Sequence, residues 1–512
     1  MSTKKDATPK SPKTGEEITK VADPELAKVG EEGENPTAEW TVMIYLAGDN
    51  NLADDCVNAL LGMKDAHVGN SIQVIAQFDP SDTRLSTQRL VIDLEEKPNG
   101  PSLATLSPQG PSSKLTKDHV EVKGGKIKFD DKREGSLQRT PESEEEDDTE
   151  TDTALPKTLF DFISWSTENF PAHRYMLILA GHAAGVEEGY LLKDENPPNA
   201  MKLEGLKEVL TQVDQNLKIS LDILGLDSCL MNMVEICYEL RGLVEIIVGS
   251  QSMTPNPGWP YGRILEIMKS RDGGKIEADK LAPIIVSEYI NSYVEHAANS
   301  GLSTDLAALR VDASVHVAQR VKELGEAISD KLNNGDVAFK NALILAHWEA
   351  QSYNGELFVD LCDFCELLVK HYDDVDIARK CGKVKKEINN MVLSTCFCGV
   401  DYQYSNGLSI YFPWATIFKN YKRLAFAQED GADWFNFLFT YVEGTRREPR
   451  GGEGRGLKAR FLLDSRKVFP ISHGPVGIVH SMRNPPNKWN KIPDCISAQH
   501  KEELDHLFSL FP

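Results

Sequence analysis

The chain has 512 residues of ordinary globular composition, 41% hydrophobic and 26% charged, which excludes collagen-like, coiled-coil and wholly disordered chains. Its formal charge is -22, from 56 basic and 78 acidic residues. That balance argues against broad binding to nucleic acid or to an anionic membrane, both of which need positive surface. The nine cysteines are irregularly spaced and read as thiols rather than a secreted disulfide framework.

Residues 1–38 are polar, rich in Lys, Glu, Pro and Thr, and read as disordered. No apolar leader follows Met1–Lys5, and the apolar runs are only strand length. The expectation is a soluble, cytoplasmic chain that does not enter a membrane. Trp40–Leu46 predicts a buried strand ending at Gly48-Asp49-Asn50-Asn51, followed by a helix to Ala66. Ile72–Phe78 predicts a second strand and Arg89–Leu94 a third, exposed one. Residues 96–156 differ in character, with Pro, Gly, Ser and Lys leading into an acidic block, Glu142–Asp152. Self-repulsion there predicts a mobile insertion.

The regular rhythm then resumes. Helices are predicted over Lys157–Asn169, Leu203–Val213 and Leu230–Leu240. Between them fall strands at Tyr175–Ala180, Leu221–Leu226 and Glu245–Val248. This alternation predicts an α/β fold, a mostly parallel sheet with helices on both faces. Long helices (Leu281–Ala298, Ala313–Leu332) and strands at Leu306–Val311 and Leu408–Phe412 extend it to residue 445. An Arg- and Gly-rich stretch, Arg446–Arg460, reads as a linker to a small C-terminal extension ending at residue 512.

Two strand ends carry reactive residues. Tyr175–Ala180 ends in Gly181-His182-Ala183-Ala184-Gly185, and Leu221–Leu226 ends in Asp227-Ser228-Cys229. Ligands of open parallel sheets bind beyond the carboxyl ends of the strands. A thiol and an imidazole there are the two parts of a thiol hydrolase. Cys229 is expected at a helix N-terminus, which would lower its pKa and offer N–H groups to an oxyanion. A packing role for either residue alone stays open, as does a helix N-cap role for Asp227.

Taken together, these segments resemble the clostripain family of cysteine peptidases, in the caspase, gingipain and legumain clan. The likeness runs from Trp40 to Tyr441, through Trp40–Asn51, Leu179–Gly185, Ile223–Glu235, Gly249–Tyr261 and Asn406–Pro413. It implies a caspase-like peptidase domain over residues 39–445 and cleavage of protein or peptide substrates after Arg or Lys. By the same resemblance His182 is the general acid/base and Cys229 the nucleophile. Asp227 selects the basic side chain, and Ser250 and Ser252 contact the substrate backbone. The Ala183 and Cys229 N–H groups form the oxyanion site.

The family usually has Gly after its His, so Ala183 motivates an alternative, a weak or inactive homologue acting as a regulatory module. The family often matures by proteolysis, which makes Lys193, Lys202, Lys132, Arg133 and Arg139 candidate processing sites. Calcium dependence is implied for some relatives, although no EF-hand-like loop is visible. Residues 96–156 and 446–512 are the candidate contacts for a regulatory partner or effector. Cys362, Cys365, Cys396 and Cys398 read as core residues rather than a metal site, and His347 as structural.

Overall fold

The structure, a computed structural model, describes residues 38–66, 71–81, 87–92, 103–106, 113–115, 120–123, 126–129 and 152–446. In chain order its first strands are β1 (Ala38–Gly48), β2 (Ile72–Pro80), β3 (Gln88–Ile92), β4 (Leu103–Leu106), β5 (Ser113–Leu115), β6 (Val120–Lys123) and β7 (Lys126–Phe129). After them come β8 (Ala172–Ala180), β9 (Tyr190–Glu195), β10 (Pro198–Lys202), β11 (Leu221–Asp227), β12 (Val244–Gly249) and β13 (Thr304–Arg310). The last are β14 (Ser352–Tyr353), β15 (Phe358–Asp360), β16 (Val392–Cys398) and β17 (Ser409–Tyr411). The first helices are α1 (Ala53–Asp65), α2 (Pro156–Asn169), α3 (Gly185–Glu188), α4 (Leu203–Gln212), α5 (Val234–Glu239), α6 (Tyr261–Ser270) and α7 (Ala278–Ser300). The remaining helices are α8 (Ser314–Asn333), α9 (Val337–Glu349), α10 (Leu361–His371), α11 (Val375–Met391), α12 (Ala425–Gln428) and α13 (Ala432–Arg446).

Ten strands form the main sheet, in the order β16-β13-β12-β11-β8-β1-β2-β3-β4-β5. The five central strands, β12, β11, β8, β1 and β2, run parallel. Antiparallel strands extend both edges. Strand order reverses at β1, because β2 lies on one side of it and β8 on the other. Such a switch point opens a crevice at the carboxyl ends of the strands.

Side chains alternate between two cores, as the period of two in a strand requires. Met176, Ile178 and Ala180 of β8 face α1, α6 and α7. Leu177 and Leu179 face the opposite core, built with α2, α4, α5, α8–α11 and α13. Burying both faces explains the near-continuous apolar runs read from the sequence.

Several expectations need correction. β3 is not an exposed strand, since Leu90 and Ile92 are buried. Within the 96–156 insertion the described residues form strands that composition did not predict: β4 and β5 extend the sheet and β6 pairs with β7. The alternation in Val120–Lys123 and Lys126–Phe129, separated by Gly124-Gly125, is a hairpin pattern that the acidic block beside it overshadowed. The 1–37 segment, most of the acidic block and residues 447–512 lie outside the described residues. Among the described residues no helix is long and apolar enough to cross a membrane.

Candidate active site

The sheet register brings the reactive residues to one level. β8 and β11 are adjacent and parallel, with Ala180 opposite Asp227. His182 and Cys229 each follow their register partner by two residues, so they leave the sheet side by side, on strands about 4.8 Å apart. On the other side of β8, β1 pairs Leu46 with Ala180. Its continuation delivers Asn51, whose Oδ1 accepts a hydrogen bond from His182 Nε2 at 2.7 Å. An amide oxygen can only accept, so Nε2 carries the proton and Nδ1 is the basic nitrogen.

Beyond these strand ends lies a cavity of about 280 Å3. His182, Asp227 and Cys229 line it, together with Leu52, Asp55, Cys56 and Ala59 of the α1 region. The loop Met253–Gly258 and Tyr261 close it. The spacing of positions 52, 55, 56 and 59 puts them on one face of α1.

Asp227 is buried, and its Oδ2 accepts from the Trp259 N–H at 2.9 Å and the Tyr261 hydroxyl at 2.7 Å. Its Oδ1 has no hydrogen-bond partner. Burial pushes the carboxyl up to about 6, against the opposing effect of the Tyr261 and Trp259 bonds. Gly258 has φ +67° and lies against this carboxylate, where a Cβ would come within 2.4 Å of Oδ2. Only glycine satisfies both conditions.

The Cys229 sulfur is half-buried and accepts the Thr254 N–H at 3.3 Å. Burial raises the thiol pKa, the Thr254 N–H opposes that, and the nearby Asp227 charge adds to the rise. Burial lowers the His182 pKa, helped by Lys193 and opposed by Glu195. The resting pair is therefore a neutral thiol and a neutral imidazole near pH 7.

Other sequence expectations change here. The helix after Cys229 is α5, whose N-cap is Met233. Cys229 thus precedes the helix and gains nothing from its N-terminus, and Asp227 is not an N-cap. Leu230 instead takes φ +64°, an uncommon conformation for a branched side chain. Ala183 is not among the residues of positive φ, so Ala in place of Gly causes no backbone strain; the positive φ falls at Gly185, +59°. Next to Ala183, the Ala184 N–H donates to the Tyr190 carbonyl at 3.2 Å.

Ser250 and Ser252 are fully buried and do not line the cavity. Asp305 Oδ1 accepts from the Ser250 hydroxyl at 3.1 Å and the Ser252 N–H at 2.9 Å, and Oδ2 accepts the Gln251 N–H at 3.0 Å. The carbonyls of Ser252 and Ser250 in turn accept the Leu230 and Asn232 N–H groups, at 2.9 and 3.0 Å. These serines therefore hold the nucleophile's loop from behind. Gln251 reaches Asp360 through Nε2 at 3.1 Å and accepts the Gly407 N–H at 2.7 Å.

Lys193 lies in β9, and Lys202 ends β10 and is the N-cap residue of α4. Both lysines thus lie in the antiparallel β9–β10 hairpin rather than in an open loop. Lys132, Arg133 and Arg139 lie outside the described residues. Cys362 and Cys365 are buried in α10, and His347 is stacked between Phe412 and Trp414. Among the described residues no group of three or more His, Cys, Asp or Glu is arranged to hold a metal ion.

Sequence reasoning placed the loop 250–257 at the pocket wall, as found for 253–257, but missed the Thr254 bond to Cys229, the Asn51 bond to His182, Asp305 and the α1 face. All three side-chain and backbone contacts join segments distant in sequence, 131 positions for Asn51 and His182, 25 for Thr254 and Cys229 and 55 for Ser250 and Asp305. The α1 face was legible in principle from the i, i+3, i+4, i+7 spacing after Leu52.

The model of the clostripain family matches residues 44–436, more than three quarters of the chain. The chain belongs to the clostripain family. Clostripain of Hathewaya histolytica is 25% identical over 285 residues, 51% of this chain and 49% of that one. The chain therefore spans about half the length of that curated relative. Among solved structures, a secreted C11 cysteine protease from Bacteroides thetaiotaomicron with an irreversible peptide inhibitor is similar at a TM-score of 0.55. It is 15% identical, with 78% of this chain and 100% of that chain covered. An inactive zymogen C11 protease from Parabacteroides distasonis gives a TM-score of 0.52 at 18% identity, covering 77% of this chain and 99% of that chain. At such identities the likeness to this clostripain-family chain is one of fold.

Proposed function

We propose that the chain is a cysteine endopeptidase that cleaves after Arg or Lys. The observation carrying this reading is the convergence of Cys229, His182 and the open acceptor Asp227 Oδ1 on one cavity. A buried carboxylate oxygen without a donor is costly unless a cation meets it. A basic substrate side chain supplies that cation.

In the proposed reaction His182 Nδ1 takes the Cys229 proton as sulfur attacks the scissile carbonyl. The developing oxyanion is received by backbone N–H groups of Ala183 and Cys229. The imidazolium then protonates the leaving amine, and water hydrolyses the thioester with His182 again as base. The neutral resting pair means that proton transfer accompanies attack.

A fluorogenic peptide with Arg or Lys before the reporter group tests the assignment. Turnover abolished by Cys229→Ala and by His182→Ala supports it; equal turnover with Asp in place of the basic residue overturns the specificity.

Zymogen processing is part of the same proposal, with Lys193 and Lys202 as cutting sites. The zymogen form of the Parabacteroides distasonis protease supports that form of control. Intact masses of wild type and Cys229→Ala, expressed in parallel, test it. Identical unprocessed masses remove it. A cytoplasmic location is also proposed. No disulfide links the described cysteines, which fits a reducing compartment, and fractionation of the native host cell tests it.

A further inference from the structure

We propose that Asp55 is a second specificity-determining carboxylate, which makes the pocket favour a guanidinium over an ammonium. This rests on the reading of Asp227 as the acceptor for a basic substrate side chain.

The two oxygens of Asp227 are unequal. Oδ2 already takes two donors, Trp259 N–H and Tyr261 hydroxyl. Oδ1 takes none. A guanidinium normally grips a carboxylate with two parallel N–H bonds, one to each oxygen. Asp227 cannot offer that grip without giving up Tyr261 or Trp259. By itself it is a one-oxygen acceptor, which suits an ammonium as well as a guanidinium.

Asp55 alters the balance. It lines the same cavity from α1 and makes no ion pair with any described residue. The placement of α1 is firm. Gly262 of α6 lies against Gly62 of α1 so closely that a Cβ there would stand 2.3 Å from the Gly62 carbonyl. α6 begins at Tyr261, the residue bonded to Asp227. Tyr261 thus ties Asp227, at the end of β11, to the helix pair that carries Asp55.

The ligands differ in how their donors are spread. An ammonium radiates all its donors from one nitrogen, whereas a guanidinium spreads five N–H bonds over three nitrogens in a plane. A guanidinium seated on Asp227 Oδ1 still has N–H groups directed elsewhere in the pocket, toward a second acceptor. Asp55 is that acceptor, and the remaining α1 wall is apolar apart from the Cys56 thiol. Two carboxylates in a largely apolar cavity also focus the field that draws a cation in.

The test uses binding rather than turnover, so that it separates from the catalytic proposal. n-Butylguanidine and n-butylamine are titrated into the Cys229→Ala protein and into the same protein carrying Asp55→Asn, Asp55→Glu or Asp54→Asn. With Asp55→Asn, butylguanidine affinity is expected to fall about tenfold or more, the value of a charge-assisted bond. Butylamine is expected to fall by no more than about threefold, as for loss of a partly exposed charge. Asp55→Glu restores guanidinium preference in part. Asp54→Asn, the exposed neighbour, leaves the ratio unchanged. Equal losses for both ligands with Asp55→Asn, or no loss for either, overturn the role of Asp55. Failure of both ligands to bind the parent protein overturns the Asp227 reading and this one with it. Binding without turnover in the wild type leaves Asp55 supported and refutes only the catalytic proposal.

Discussion

Replacing Asp305 by Asn tests whether the buried network behind Cys229 positions the nucleophile. The aspartate accepts three hydrogen bonds, two on Oδ1 and one on Oδ2. An asparagine has one accepting oxygen. In its best orientation it keeps Ser250 and Ser252 and turns its amide nitrogen toward the Gln251 N–H, donor against donor. A buried donor left unsatisfied costs about 1–3 kcal/mol. Removing the buried charge offsets part of this, because burial already raises the Asp305 pKa.

The net loss of stability should be about 1–2 kcal/mol, read as a lower urea midpoint at unchanged slope. The larger effect is expected on catalysis. The loop from Ser250 to Thr254 holds Leu230 through the Ser252 carbonyl and Cys229 through the Thr254 N–H. A displacement approaching 1 Å costs up to about a hundredfold in rate. kcat on a fluorogenic Arg peptide should therefore fall between about ten- and a hundredfold with KM nearly unchanged. Alkylation of Cys229 by iodoacetamide should shift its pH profile in parallel. A variant with normal kcat and an unmoved alkylation profile would refute the positioning argument, whatever its stability.

Asp227 should govern an acid limb: n-butylguanidine affinity rises with pH and levels off above about 6, the value to which burial pushes this carboxyl. Tyr261→Phe removes a bond that lowers that value, so the limb should move to higher pH. Since the folded pKa lies above the unfolded one, near 3.9, the Asp227 contribution to stability is most favourable below about pH 4 and declines as pH rises through 6. Asp227→Asn should then be more stable than wild type at pH 7, by up to about 3 kcal/mol, while losing basic ligands; a lower denaturation midpoint contradicts this. Iodoacetamide should modify Cys229 slowly at pH 7, with the rate still climbing at pH 9, because burial raises the thiol. Gly258→Ala should cost at least about 1–2 kcal/mol for its left-handed backbone and reduce guanidinium binding by crowding Asp227 Oδ2; calorimetry with n-butylguanidine reads both effects.

The sheet was legible because its strands are buried on both faces. Runs such as Leu221–Leu226 carry that burial as continuous apolar sequence, and their ends point to Asp227 and Cys229. The helix after Cys229 was misplaced because Leu230 to Met233 is apolar enough to continue a helical pattern, yet Leu230 turns the chain with positive φ. Ser250 and Ser252 looked available for substrate because hydroxyls beside an expected loop give no hint of a buried carboxylate 53 to 55 positions further on. Asp55 was unremarkable beside Asp54 until the fold turned one of the two toward the cavity. Local pattern reports burial well; it does not report which distant acceptor satisfies a buried donor.

The pairing of β8 with β11 bears on what a processed molecule looks like. His182 and Cys229 hang from adjacent central strands, and a cut after Lys193 or Lys202 falls in the β9–β10 hairpin outside that sheet. Both fragments would keep their strands in the middle of the sheet, with β1 holding one and β12 the other. The product would be a nicked two-chain assembly that elutes from a sizing column as the intact chain does. Only denaturation would reveal the break, so maturation in this fold can change the termini near the catalytic residues without releasing a domain.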